Sequence, residues 1–425
     1  MKTNSLVAAG IAMGSLLDFE PPAFAAEADF DQMAEEFSAT RQDLARELSR
    51  ELYLPLFPGT DHFFEAATNG PWESVSDAFA ALHTHTNGRG FAVPVSRNEL
   101  WAPIHETMSA WKEWARWQED PQLLSNFYKP VLASLPEDSI CFGGYALMVA
   151  GGRSRASSRY FITQNRLADP GYVAYLRVLY GDRIWLPSQE DFLAAERQLA
   201  EEVVQRKSKR KTTANPEGSV FLPGNATTNE IHGRLTGAIA RLIFEKNKAT
   251  HPFFVEESQA VDWMYPYLEP HGQILKLNPH PLEALAREAI DRNTQFWARQ
   301  EEELMAVPGF RNNVYARKSF AKRRTAIAGL YAHRKQYAHA EAAYRQAIRL
   351  CPASSVASAR LAKMFEHQGR TVEAIQVMEA YLAADSCCFA DDARSYLEAL
   401  RQKAAQNLAG DDGRESQLVL ELREP

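Results

Sequence analysis

Residues 321–352 read AKRRTAIAGLYAHRKQYAHAEAAYRQAIRLCP, and this stretch decides how the C-terminal part folds. Counted from Ala321, small residues stand at Ala328, Ala340 and Ala347, aromatic residues at Tyr331 and Tyr344, and a proline at Pro352. Small side chains let two antiparallel helices approach closely, rings fill the gap beside them, and proline ends the second helix. Counted from Ser355, 34 residues later, Leu361, Ala362, Phe365, Gly369, Ala374 and Met378 take matching positions, with Ser386 where the closing proline would stand. A third helix, residues 391–406, carries Tyr396, Leu397 and Leu400 and covers the open end.

That spacing is the signature of tetratricopeptide-type helix pairs. Arrays of this kind bind proteins, and Tyr331, Arg334, Tyr337 and Phe365 are the candidate protein-binding residues. Two pairs cannot bury both of their faces alone, so the array is expected to dock on the preceding body. A role as a packing extension of that body stands beside the binding role.

Working outward, 425 residues exceed what one core usually organises, which predicts several folding units. Hydrophobic residues at 45% and charged residues at 24% are ordinary globular values. A formal charge of -7 gives no general reason to bind phosphate backbones, so nucleic acid is excluded as an expected partner. The N-terminus places Lys2 before an apolar stretch from Ser5 to Leu17, then an Ala-x-Ala pattern at Ala23 and Ala25. This predicts an export signal over 1–25 and a mature chain in the periplasm or outside the cell. No later stretch approaches the ~20 apolar residues of a membrane span. The remaining units are a helical and loop-rich region (26–130), an α/β domain (131–305), the helical repeats with their capping helix (306–406) and a tail (407–425).

Between Asp29 and Leu52 the positions Phe30, Met33, Phe37, Leu44 and Leu48 fit an amphipathic helix. Trp111, Trp114 and Trp117 follow at helical spacing and read as a packing stripe. From Leu132 to Leu277 short β-rich runs alternate with helical ones. The runs are Ser139 to Phe142, Tyr160 to Thr163, Ile184 to Leu186, Phe253 to Val255, and Gln273 to Leu277. The expected fold class is therefore α/β: a mostly parallel sheet flanked by helices, with a helical N-terminal segment and an all-α C-terminal array. Asp169-Pro170 supplies a helix cap and a first-turn proline, and Ser188 with Asp191 resembles a capping box.

In a parallel sheet, functional groups gather past the carboxyl ends of strands. That rule selects Gly143, Gly144, Gln164, Asn165, Glu256, Glu257 and Asn278 as candidate ligand-binding residues, with turn and cap roles as the alternative. Gly143-Gly144 and Gly151-Gly152 lack the dinucleotide spacing, and no P-loop, nucleophile elbow or zinc-protease motif occurs. Arg153, Arg155 and Arg159 suit either an anion or a solvated loop. His83, His85 and the His105-Glu106 pair lack the spacing that fixes further ligands, so no metal and no cofactor is expected. Cys141 reads as a buried thiol, while Cys351 stands open to pairing with Cys387 or Cys388.

Four runs carry a resemblance: Asn98 to Ile104, Ser139 to Gly144, Thr163 to Asp169, and Val261 to Pro266. They resemble an uncharacterised family of exported bacterial proteins that end in tetratricopeptide repeats. The segment around the first strands is more distantly similar to the soluble part of bacterial O-mannosyltransferase-like membrane proteins. Those relatives place an acidic residue soon after the Gly-Gly pair, where this chain has Tyr145-Ala146-Leu147. Two functions result: an exported scaffold or adaptor that binds a protein through its repeats, or a glycan-related enzyme or sugar-binding protein acting at the strand ends.

Overall fold

Amphipathic helices occupy most of the chain. The computed structural model describes the backbone of residues 30–87, 98–117, 120–144, 148, 151, 157–209, 226–256, 260–384 and 389–421. The expected export signal, Arg153, Arg155, Glu257, Cys387 and Cys388 lie outside the described residues.

Helix α1 (Phe30–Glu51) buries Met33, Phe37, Leu44 and Leu48, the face that its spacing gives. The stretch after it, whose Gly and Pro residues read as loop, holds α2 (Thr60–Asn69) and α3 (Trp72–Asn87). Gly59 and Gly70 in it mark helix ends rather than loops. Gly59 precedes α2 at φ 88°, and Gly70 closes it with an N–H donated to the Ala66 carbonyl at 2.8 Å. Helix α4 (Asn98–Ala115) then packs on α1. Trp111 and Trp114 on it, and Trp117 beyond its end, are buried, and the Trp111 indole donates to Ser38 Oγ at 3.1 Å. Helix α5 (Pro121–Ser134) leads to the sheet.

Five short strands form it: β1 (Ile140–Phe142), β2 (Tyr160–Ile162), β3 (Phe253–Val255), β4 (Leu268–His271) and β5 (Ile274–Leu277). Their order is β2-β1-β3-β5-β4. Strand β1 runs parallel to β2 and β3, whereas β5 runs antiparallel to β3 and β4. The expected α/β fold with a mostly parallel sheet is therefore wrong: the chain is mostly helical, and its small sheet is mixed. The physical reason lies in the connections. A turn at Gly272 (φ 56°) joins β4 to β5 as a hairpin, which fixes antiparallel pairing in that half. Strand β4 contains Pro270 and reads poorly as a strand, but it lies at the sheet margin, where proline is tolerated.

Ile184 to Leu186 forms no strand. A side-chain amide takes the place of a neighbouring strand there: Asn247 Oδ1 accepts the Trp185 N–H at 2.8 Å and Asn247 Nδ2 donates to the Trp185 carbonyl at 2.9 Å. On the β2 margin, α6 (Pro170–Tyr180) acts similarly. The Tyr180 hydroxyl accepts the Phe161 N–H at 2.9 Å and donates to the Phe161 carbonyl at 2.7 Å, and the Tyr172 hydroxyl accepts the Thr163 N–H at 2.9 Å. Burial pushes both phenols above the ordinary tyrosine range, so they remain protonated. Asp169 caps α6, its Oδ1 accepting the Gly171 N–H at 2.9 Å. Ser188 and Asp191 exchange reciprocal bonds ahead of α7 (Gln189–Lys209).

After α8 (Ala226–Asn247) and α9 (Arg287–Ala306) come the helix pairs α10 (Val314–His333) with α11 (Tyr337–Leu350), and α12 (Ser355–His367) with α13 (Thr371–Leu382). Helices α11 and α13 begin 34 positions apart, and so do the left-handed turn residues Lys335 (φ 58°) and Gly369 (φ 74°) before them. Ala328, Ala340, Ala347, Ala362 and Ala374 are all inaccessible, as close helix approach requires. Helix α14 (Ala390–Glu421) continues through the segment expected to be a tail. One continuous apolar core runs from Met33 to Leu400, so the helix pairs are built onto the body. No helix among the described residues is long and apolar enough to cross a membrane.

Candidate functional site

Because β1, β2 and β3 are parallel, their carboxyl ends share one edge. Gly143 and Gly144 follow β1, Gln164 and Asn165 stand in a 3-10 turn after β2, and Glu256 follows β3. Five candidate residues are thus brought to one edge. Asn278 is not among them. It follows β5, which is antiparallel, and the pairing of Phe253 with Leu277 puts it at the opposite end. There its N–H and its side-chain Nδ2 both donate to the Tyr267 carbonyl, at 2.8 and 3.1 Å, which closes the hairpin half of the sheet.

The Glu256 carboxylate folds back over the two glycines. Its Oε2 accepts the Gly144 N–H at 2.8 Å, and a Cβ added at Gly143 would sit 3.2 Å from the same oxygen. Its Oε1 accepts Arg323 Nε at 3.0 Å and also Arg323 Nη2. Arg323 comes from α10, and Nη1 of the same guanidinium donates to Gln273 Oε1 and to the Phe127 carbonyl. Gln273 in turn donates to Gln300 Oε1 at 2.9 Å and to the Asn126 carbonyl at 3.0 Å. Both charged side chains are buried, at 4% and 7% exposure. Desolvation lowers the Arg323 pKa, against which the Glu256 charge and hydrogen bonds hold the proton. Glu256 is therefore committed to joining the sheet to the helix pairs. Sequence reasoning selected Glu256 by its strand-end position, but Arg323 had no signal beyond being an arginine in a helix.

Unfilled hydrogen-bonding capacity does exist at this edge. Thr163 Oγ1, Gln164 Oε1 and Thr236 Oγ1 are inaccessible and have no hydrogen-bond partner. Thr236 belongs to α8, which packs on the 3-10 turn, and His232 of the same helix meets the Asn165 carbonyl at 3.2 Å. Thr163 and Thr236 carried no sequence signal, since buried threonines are common in strands and helices.

The other candidates fall elsewhere. Glu106 does not face a loop or a metal: its Oε2 accepts Arg41 Nε at 3.0 Å and the Tyr175 hydroxyl at 2.5 Å, all three being buried. His83 and His85 lie in the last turns of α3, with side chains outside the described set. Among the described residues no group of three or more His, Cys, Asp or Glu is placed to hold a metal. Arg159 donates to the Leu135 carbonyl at 3.1 Å. Gly151 is required by packing, since a Cβ there would meet Leu132 and Phe161 at 2.7 Å. Cys141 and Cys351 are buried.

Two of the four candidate protein-binding residues are buried, and a third, Arg334, is half-buried with its guanidinium turned to the body. Tyr331 is buried against the body with its hydroxyl 3.4 Å from Asn293 Oδ1, and burial pushes it up to about 12. Arg334 donates to the carbonyls of Leu282, Tyr265 and Pro266, at 2.9, 3.1 and 2.6 Å. Phe365 is buried beneath the Arg370 guanidinium, 4.1 Å from its ring centroid. Only Tyr337 is exposed. A repeat pattern marks where rings stand relative to one another, not which face the body covers. Arg324, next to Arg323, completes the docking: it donates to Asn293 Oδ1 at 3.0 Å, and desolvation pulls it down to about 10. Comparison with protein-family models, with curated proteins and with solved structures finds no match.

Proposed function

We propose that the chain is an exported scaffold that binds another polypeptide through its tetratricopeptide-type helix pairs, which the body holds in a fixed orientation. One observation carries this reading. Of the eight large apolar side chains that are exposed among the described residues, Val314, Tyr337, Val356, Val372 and Phe389 all belong to the helix pairs and their capping turn. Single exposed apolar side chains are ordinary, but their concentration on the helix pairs makes that part the one a protein partner would cover. The apolar stretch before Ala25, and the resemblance to exported bacterial proteins with such repeats, support the remaining parts of the reading.

The test is capture of proteins from source-cell extract on the immobilised full-length chain and on a Val356→Glu, Val372→Glu variant of equal thermal stability. A protein held by the parent and retained roughly tenfold less by the variant, equivalent to ~1.4 kcal/mol, is the expected result. Identical retention on both surfaces would sink the proposal.

A second reading, binding of a glycan at the strand-end edge, is favoured by the unpartnered Thr163 and Gln164 atoms there, because hydroxyl-rich ligands satisfy such groups. Calorimetric titration with neutral oligosaccharides should give saturable heat that Gln164→Leu removes. Flat titrations across the panel would dismiss it.

A further inference from the structure

A groove of ≈ 430 Å³ runs between α11 and α13, with α12 beneath it, and its apolar lining is Ile348, Pro352, Leu361, Val377 and Ala380. Ile348 and Val377 are half-buried, and Val372, 64% exposed, stands one helical turn before the lining residue Gln376. The rim carries Arg345 and Arg349, four positions apart on one face of α11. Arg345 engages Glu341 through Nε at 2.9 Å and Arg349 engages Glu301 at 2.8 Å, yet their side chains remain 49% and 57% exposed. Exposed pairs of this kind contribute little, so either guanidinium can take a further carboxylate. The acidic lining residue Glu373 is neutralised, both of its oxygens accepting from Arg370. Elsewhere along α11 a helix of the body already lies against it, Gln346 donating to the Trp297 carbonyl of α9 at 2.9 Å.

The end of the chain supplies the complementary chemistry. From 411 to 424 the sequence sets Asp411, Asp412, Glu415, Glu421 and Glu424 against Arg414 and Arg423, around the apolar residues Leu418, Val419, Leu420 and Leu422. Helix α14, which carries most of this segment, is 32 residues long, about 48 Å at 1.5 Å per residue. Helix α13, on which it packs, has 12 residues and is about 18 Å long. The last described side chain of α14 in the apolar core is Leu400, and Leu418 stands about 27 Å farther along the axis. A straight α14 therefore carries Leu418 past the stack and away from the groove of its own chain. We propose that the groove between α11 and α13 binds the end of α14 from a second copy of this chain, with leucines on the apolar floor and acidic residues against Arg345 and Arg349. The proposal goes beyond the scaffold reading and stands without it.

Sedimentation velocity of full-length chains tests this. The parent should sediment as more than one copy as its concentration rises. A tail variant, Leu418→Glu with Leu422→Glu, and a groove variant, Val377→Glu, should each stay monomeric where the parent does not. Mixed in equal amounts, the two variants should form a heterodimer, because one keeps an intact groove and the other an intact tail. If Val377→Glu melts below the parent, Arg345→Glu serves as the groove variant, since its side chain is 49% exposed. Arg345→Glu should weaken association at least about tenfold, and adding Glu421→Arg and Glu424→Arg to the same chain should restore it. A monomeric parent, variants that associate as the parent does, or a mixture without heterodimer overturns the proposal. If a monomeric parent still captures a partner protein, the exchange falls and the scaffold stands.

Discussion

An Arg323→Met substitution is expected to destabilise the chain by about 3–5 kcal/mol, because removing one member of a buried ion pair leaves the other charge uncompensated. The partner left behind is Glu256, 7% exposed, with only the Gly144 N–H still donating to it. Gln273 and the Phe127 carbonyl would lose their donor in the same step. Methionine keeps much of the apolar contact with the Phe127 ring, so the loss reports the charge network rather than a cavity. Urea unfolding measures the effect, and an Arg323→Met, Glu256→Leu double variant should recover part of it, since neither buried charge then remains. A loss under about 1 kcal/mol in the single variant would show the pair to be hydrated in solution.

A comparable loss, about 3–5 kcal/mol, is expected for Arg41→Met at the other end of the chain. Arg41 and Glu106 are inaccessible, and the Arg41 guanidinium also lies 3.9 Å over the Phe37 ring. Burial alone would lower the Arg41 pKa, but Tyr175, Glu106 and Tyr180 together leave it raised. Without the arginine, Glu106 keeps the Tyr175 hydroxyl alone. Because one apolar core joins α1 to the helix pairs, both variants should shift a single unfolding transition. If Arg41→Met splits the melt into two steps, the N-terminal helices form a separate cooperative unit and that expectation fails.

What was legible in the sequence is what depends on near neighbours. Asp169 before Pro170, Ser188 with Asp191, the tryptophan stripe and the 34-residue spacing all act within a few helical turns, and the structure places helix ends and buried faces at those residues. Strand direction was not legible. A three-residue run such as Phe253–Val255 fits parallel and antiparallel neighbours equally, so Asn278 was assigned to the wrong edge. Long-range partners were equally hidden. Glu256 meets an arginine 67 positions away, and the groove between α11 and α13 exists only after three helices have packed. Glycine and proline misled in one place: Asn69-Gly70-Pro71 suggested a loop-rich stretch, whereas Gly70 only closes a helix, because helix caps and turns use the same conformational freedom.

A sheet margin ordinarily presents a row of unpaired backbone groups on which a foreign chain can add a strand. Here the Tyr180 hydroxyl occupies both the N–H and the carbonyl of Phe161 on one margin, and Pro270 offers no N–H on the other. Each margin therefore offers an interrupted template for intermolecular sheet growth, one broken by a phenol and the other by a proline. Recognition by strand addition at these two margins is disfavoured for the same reason.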